Sequence, residues 1–130
     1  MSKRPPIKNL SRVLAILHVE QGSFTYIDKL SQTVSRDLAL YYIREALRDY
    51  QSLVNRGFES KKAKEASQYV NYAELEAEIE EIRRLDDVTK LREELSAITA
   101  QALAEAGLIS YFESREEARQ GESSGAGASS

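Results

Sequence analysis

The chain of 130 residues has no cysteine and no tryptophan, and it holds a single histidine, a single methionine and two prolines. Without cysteine, disulfides and thiolate metal sites are excluded, and the composition is compatible with a reducing compartment. Long apolar runs are missing too. MSKRPPIKNL starts basic but is not followed by a run long enough for a signal peptide, and VLAILHV at 13–19 is short and amphipathic. A bilayer-crossing helix needs roughly 20 apolar residues. The expectation is a cytoplasmic protein with no membrane partner.

Catalytic side chains are equally sparse. His18 lies between Leu17 and Val19 inside an apolar stretch, which suits a packing or hydrogen-bonding role. There is no glycine-rich phosphate loop, no His–Glu metal spacing and no nucleophile motif. The run ELEAEIEE at 74–81 has helical spacing and reads as a solvated face rather than a cation site. The sequence therefore predicts no catalytic residues, no metal, no cofactor and no enzyme.

What is present is charge, distributed unevenly. Residues 1–64 carry 12 Lys and Arg against 6 Asp and Glu, whereas residues 65–130 carry 6 against 15. A basic half joined to an acidic half raises the question of an anionic partner for the first half. A solvated mixed surface is the plainer explanation.

Periodicity organises the chain. Pro5 and Pro6 keep the N-terminal arm out of a helix. NLSRVLAILHVEQG then predicts a helix with Leu10, Val13, Leu14 and Leu17 on one face and Gly22 as its stop. SFTYIDKLSQTV predicts a second, with Thr25 and Asp28 resembling a capping box and Phe24, Ile27, Leu30 and Val34 as its stripe. A third follows from Ser35 or Asp37 to Gly57, with Leu40, Ile43, Leu47, Tyr50 and Val54 along a face. GFES and the alternating QYVNY, around KKAKEAS, read as two short strands closed by a basic loop; the alternative is a helix continuing through KKAKEAS. From Tyr72 to Ala106 the apolar residues step by threes and fours, giving one helix of roughly 50 Å, or two helices broken near Asp86 and Asp87. LISYFES at 108–114 is a short apolar piece suited to docking on these helices, and residues 115–130 have the composition of a disordered tail.

Three helices followed by a basic hairpin resemble the winged helix-turn-helix domain of DNA-binding regulators. The resemblance covers about residues 7–72 and rests on SRVLAIL, FTYIDKLSQTV, RDLALYYIREALRDY, GFES and QYVNY. The usual small residue between the second and third helices is absent; Val34-Ser35-Arg36-Asp37 stands there. The implied architecture is mainly α. A winged domain with a basic arm (1–72) leads into an acidic amphipathic dimerisation region (73–114) and the tail. The resemblance implies double-stranded DNA as partner. Arg36, Tyr41, Tyr42, Arg44 and Arg48 would lie on the groove-reading helix, Lys61, Lys62 and Lys64 at the wing tip, and Lys3, Arg4 and Lys8 on the arm. Leu75, Ile79, Ile82, Leu91, Leu95 and Ile98 would pair two copies as a homodimer, or pack within one monomer as a folded-back helix pair. The expectation is a dimeric, nucleoid-associated transcriptional regulator of phage or plasmid size. The rival reading is a non-enzymatic helical adaptor or inhibitor that binds a protein through its acidic helix.

Overall fold

The computed structural model describes residues 7–129, with side chains described for residues 7–119. Six helices follow one another: α1 (Asn9–Gln21), α2 (Thr25–Gln32), α3 (Arg36–Arg56), α4 (Lys61–Ser67), α5 (Tyr72–Arg84) and α6 (Val88–Ser129). Among the described residues there is no strand. The expected wing is therefore absent, and with it the winged helix-turn-helix architecture.

α1 is the axis of the fold. Leu10, Val13, Leu14, Ala15, Ile16 and Leu17 are all buried, so the helix is apolar round most of its circumference rather than along one stripe. A helix of that kind must be enclosed. α6 lies along it, and α3, α4 and α5 also pack on it. The α1–α6 contact is tight enough for the Ser11 hydroxyl, itself buried, to donate to the Ile98 carbonyl at 2.9 Å. Gly22 ends α1 in the left-handed region at φ 63°, where a glycine avoids the Cβ penalty, and donates its N–H to His18 O.

α3 starts as its sequence implies, with the Ser35 side chain accepting from Leu38 N at 3.2 Å. Its buried face is rotated from the one predicted. Ala39, Ile43, Ala46, Tyr50 and Leu53 are inside, Leu40 and Leu47 are half-buried, and Val54 is exposed. Small alanines let α3 approach its neighbours closely. In α2, Ile27 and Leu30 are buried while Phe24 and Val34 are exposed. Thr25 is the first helical residue rather than the cap; Phe24 at the cap position offers no side-chain acceptor, and Ser23 Oγ accepts from Thr25 N at 3.2 Å.

The segment read as a hairpin is a short helix between two turns. Gly57, at φ 104°, stops α3. Ser60 then caps α4 by accepting from Ala63 N at 3.1 Å. QYVNY is a turn and not a strand: Gln68, Tyr69 and Val70 donate their N–H groups to carbonyls three residues back, and Asn71 caps α5 by accepting from Glu74 N. Burial does not follow a period of two here, since Val70 is buried while Tyr69 and Tyr72 face out.

α5 and α6 are separate helices. Leu85 is extended, and Asp87 accepts from Thr89 N at 2.8 Å at the start of α6. The fold-back lets each helix bury its own stripe. Leu75, Ile82, Leu91, Leu95 and Ile98 belong to the core of this same chain, with Ile79 partly buried against it. Those side chains are already occupied, so they do not form the exposed seam that pairing of two copies would need. α6 also takes in residues 115–129, the segment whose composition suggested a tail.

Candidate interaction surfaces

The basic half finds its counter-charges inside the molecule. Lys8 Nζ lies 2.9 Å from Glu94, Arg12 Nε 3.2 Å from Glu105, and Lys62 Nζ 3.2 Å from Glu116 and 3.4 Å from Glu65. Hydrogen bonding to Glu94 holds the Lys8 ammonium above its ordinary pKa, and Glu116 does the same for Lys62.

The acidic half also serves helix N-termini, where N–H groups lack intrahelical acceptors. Glu78 on α5 accepts from Asn9 N at 3.0 Å, Leu10 N at 2.9 Å and Asn9 Nδ2 at 3.0 Å, closing the start of α1. Glu113 on α6 accepts from Lys62 N at 2.9 Å, and Glu20 on α1 accepts from Ser60 N at 2.8 Å, so two distant carboxylates hold the start of α4. Part of the asymmetry that suggested an anionic partner is thus internal complementarity.

Of the residues proposed for DNA that are described, five lie on α3, three on α4 and Lys8 just before α1. Arg36 donates to Leu85 O at the α5–α6 corner. Tyr41 is exposed and Tyr42 packs against the core, the two rings meeting edge to face at 5.6 Å. Arg44 lines a groove between α3 and α5 with Glu76, Glu80 and Arg83. Arg48 sits 3.8 Å from Glu45. Lys61 and Lys64 are exposed on α4, not on a wing tip, and Lys8 is paired with Glu94. Lys3 and Arg4 lie outside the described residues. His18 stacks on Phe24 with ring centroids 4.2 Å apart, and its Nδ1 lies 2.9 Å from Ser23 O. Among the described residues no group of three or more His, Asp or Glu could hold a metal ion, and no helix is long and apolar enough to cross a membrane.

Two groups of exposed apolar side chains lie beside clefts that α6 helps to line. At the α2–α3 and α5–α6 corners, Val34 and Val88 are more than half exposed (56% and 54%) over a cleft of about 250 Å³ that Leu85 and Leu91 also line. Asp37, Asp86 and Asp87 rim it. Further along α6, Tyr69, Tyr111 and Phe112 are exposed beside clefts of about 390 and 310 Å³, with Lys62, Arg115 and Arg119 among the lining residues. Arg115 lies over the Tyr111 ring at 5.8 Å, and Arg12 over the Tyr69 ring at 5.8 Å. The sequence reading missed this aromatic surface. Its signal was the adjacent pair Tyr111-Phe112 in LISYFES, which no single helical stripe can bury; Ile109 takes the inward position.

A relative from Archaeoglobus fulgidus is 46% identical over 105 residues, covering 80% of this chain and 90% of its own length; it bears the name "Uncharacterized protein". No solved structure matches. Residues 13–106 match the family Cas_Csa5, whose description is "CRISPR-associated protein". That match runs from α1 into α6, across the boundary drawn between a DNA-reading domain and a dimerisation region. It overturns both the resemblance to winged helix-turn-helix regulators and the transcription-regulator function built on it. The chain belongs to the Cas_Csa5 family of CRISPR-associated proteins.

Proposed function

We propose that this chain is a non-catalytic, protein-binding subunit of a CRISPR-associated assembly. The observation that carries the reading is the aromatic surface formed by Tyr69, Tyr111 and Phe112 on a body whose core is already complete without them. Large exposed aromatics beside arginines are the side chains that anchor protein–protein contacts, because they bury much area at little rotamer cost. Family membership supplies the context, and the internal pairing of charge favours contacts built on shape and apolar area over a simple polyanion grip.

The test is co-expression with the other CRISPR-associated proteins of the same genome, with the purification tag on one of those proteins. The chain should co-migrate with them in size exclusion at about 0.3 M salt, where exposed charge pairs are strongly screened. Elution of the untagged chain by itself under every condition would refute the reading. The non-catalytic part has its own check. His18→Gln should leave both composition and any activity of the assembly unchanged, and loss of activity from an intact assembly would defeat it.

A further inference from the structure

We infer that the groove between α3 and α5 receives an amphipathic helix of another CRISPR-associated protein. That helix carries leucine-sized side chains on one face, a carboxylate on the flank towards α3 and a basic residue on the flank towards α5. This rests on the reading of the chain as an assembly subunit and assigns a second contact, separate from the aromatic surface. α3 and α5 run antiparallel, since Arg36 reaches Leu85 O at one end and Tyr72 neighbours Tyr50 at the other. Between them lies an open groove of about 490 Å³, with Leu40, Ile43 and Leu47 on one wall and Ile79 on the other. Leu40, Leu47 and Val54 recur every seven residues, with Ile43 and Tyr50 between them, which is the spacing of a helix-pairing seam. This chain uses only half of that seam. Ile43 and Tyr50 are fully buried, whereas Leu40 and Leu47 are half-buried and Val54 is exposed. The three unfilled positions span about 21 Å, the length of a helix of about four turns. A helix laid in the groove completes the seam by inserting its own aliphatic side chains there.

The occupant is a different protein because this chain has no such helix to offer. Among the described residues, the exposed aliphatic side chains on helices are Leu38 and Val54 on α3 and Val88 and Leu103 on α6. Each pair is about four turns apart, so neither helix exposes an aliphatic stripe. The two walls of the groove also differ in charge. Arg44 on α3 and Glu76 on α5 are in no ion pair with another described residue, while Glu80 and Arg83 satisfy each other at 2.9 Å. Arg44 calls for a carboxylate and Glu76 for a base, which decides which flank of the incoming helix is acidic and so its direction along the groove.

The experiment places the photo-crosslinker p-benzoylphenylalanine at position 83, where Arg83 lines the groove, in the chain co-expressed with the other CRISPR-associated proteins of the same genome. Position 84, exposed on α5 but outside the groove, is the control. Position 83 alone should crosslink to a segment of another protein that has aliphatic residues three and four apart between an acidic and a basic flank. That segment, made as a synthetic peptide, is then titrated by fluorescence anisotropy onto the purified full chain. Arg44→Glu and Glu76→Lys should each weaken binding by about tenfold while circular dichroism stays unchanged. A peptide with its flanking charges exchanged should bind the chain carrying both reversals more tightly than it binds wild type. The inference is overturned by an intact assembly with no crosslink from position 83, by a crosslink to a second copy of this chain, by a captured segment without the stripe, or by peptide binding indifferent to both reversals. In each of these cases the chain still co-migrates with its partners, so the assembly reading survives; absence of co-migration defeats both.

Discussion

α1 and α4 are held in place by different physics. α1 is made by burial. It has no side-chain cap of its own at Lys8, but its apolar residues from Leu10 to Leu17 are enclosed by α6 and the four other helices. α4 is made by polar contacts. Of its seven residues only Ala63 is buried, and its first turn is fastened by Ser60, Glu20 and Glu113. A helix this short is not stable alone, so α4 exists because Glu113 on α6 meets its free N–H groups while Glu20 on α1 holds the N–H of its cap residue Ser60. One helix defines the core and the other is pinned onto it, and substitutions should separate the two.

Leu14→Ala should have the largest effect. Leu14 is 1% exposed at the centre of α1, and truncating a leucine there costs about 2–5 kcal/mol through lost burial and the cavity left behind. Denaturant unfolding should show a lower midpoint with the transition still cooperative. A loss below about 1 kcal/mol would mean that α1 is not the axis of the core.

Glu78→Ala should come next. Removing an acceptor shared by two backbone N–H groups and the Asn9 amide should cost about 1.5–3 kcal/mol, the range for hydrogen bonds to a charged group. Glu78→Gln, which keeps an acceptor oxygen, should recover part of that loss. Equal stability of the two variants would show that the carboxylate does not cap α1.

Glu113→Ala tests α4, and here the readout should be local. Losing a cap costs about 0.5–2 kcal/mol in the helix concerned, but α4 buries little, so the global midpoint should move less than for Glu78→Ala. Amide exchange at residues 62–67 should speed up while that of α1 stays slow. If α1 and α4 lost protection together, the contrast between core helix and pinned helix would collapse.

The same contrast explains which parts of the fold were legible in the sequence. Apolar periodicity and glycine stops marked α1 and α3, and the Ser35 cap of α3 was readable because its determinants are local. The break at Asp86 and Asp87 was visible as an alternative, but only packing on α1 decides that Leu75, Ile82, Leu91 and Leu95 fill one monomer's core instead of a seam between two. α4 was unreadable as a separate helix. Its decisive partners Glu20 and Glu113 lie 40 and 51 residues away from the amides they accept, and Gln68-Tyr69-Val70-Asn71-Tyr72 imitates strand alternation while forming a turn that leads into α5 at Tyr72. Lys8 and Lys62 looked available to an anion for the same reason: Glu94 and Glu116 are remote in sequence.

The smallest effect at neutral pH is expected beneath the end of α4, at Tyr50. Its side chain is 1% exposed, and its hydroxyl has no hydrogen-bond partner among the described residues. Burial, with the neighbouring Tyr72 adding to it, pushes the phenol above its ordinary range. A buried unpaired hydroxyl is a cost, so Tyr50→Phe should be neutral to slightly stabilising at pH 7. In alkali the difference widens in the same direction, because the wild type carries an additional loss. Because the folded phenol resists ionisation, its contribution is fully present below the unfolded value near pH 10 and is lost as the pH rises above it. Tyr26 behaves in the same direction, through burial and its hydrogen bond to Asp49, and sustains part of the alkaline loss in any Tyr50 variant. Unfolding midpoints measured from pH 8 to about pH 11 should therefore fall for both proteins, less steeply for Tyr50→Phe. Parallel curves would mean that Tyr50 ionises freely in the folded chain, which requires α4 to lift away and admit water, and would make α4 a looser attachment than its carboxylate contacts imply.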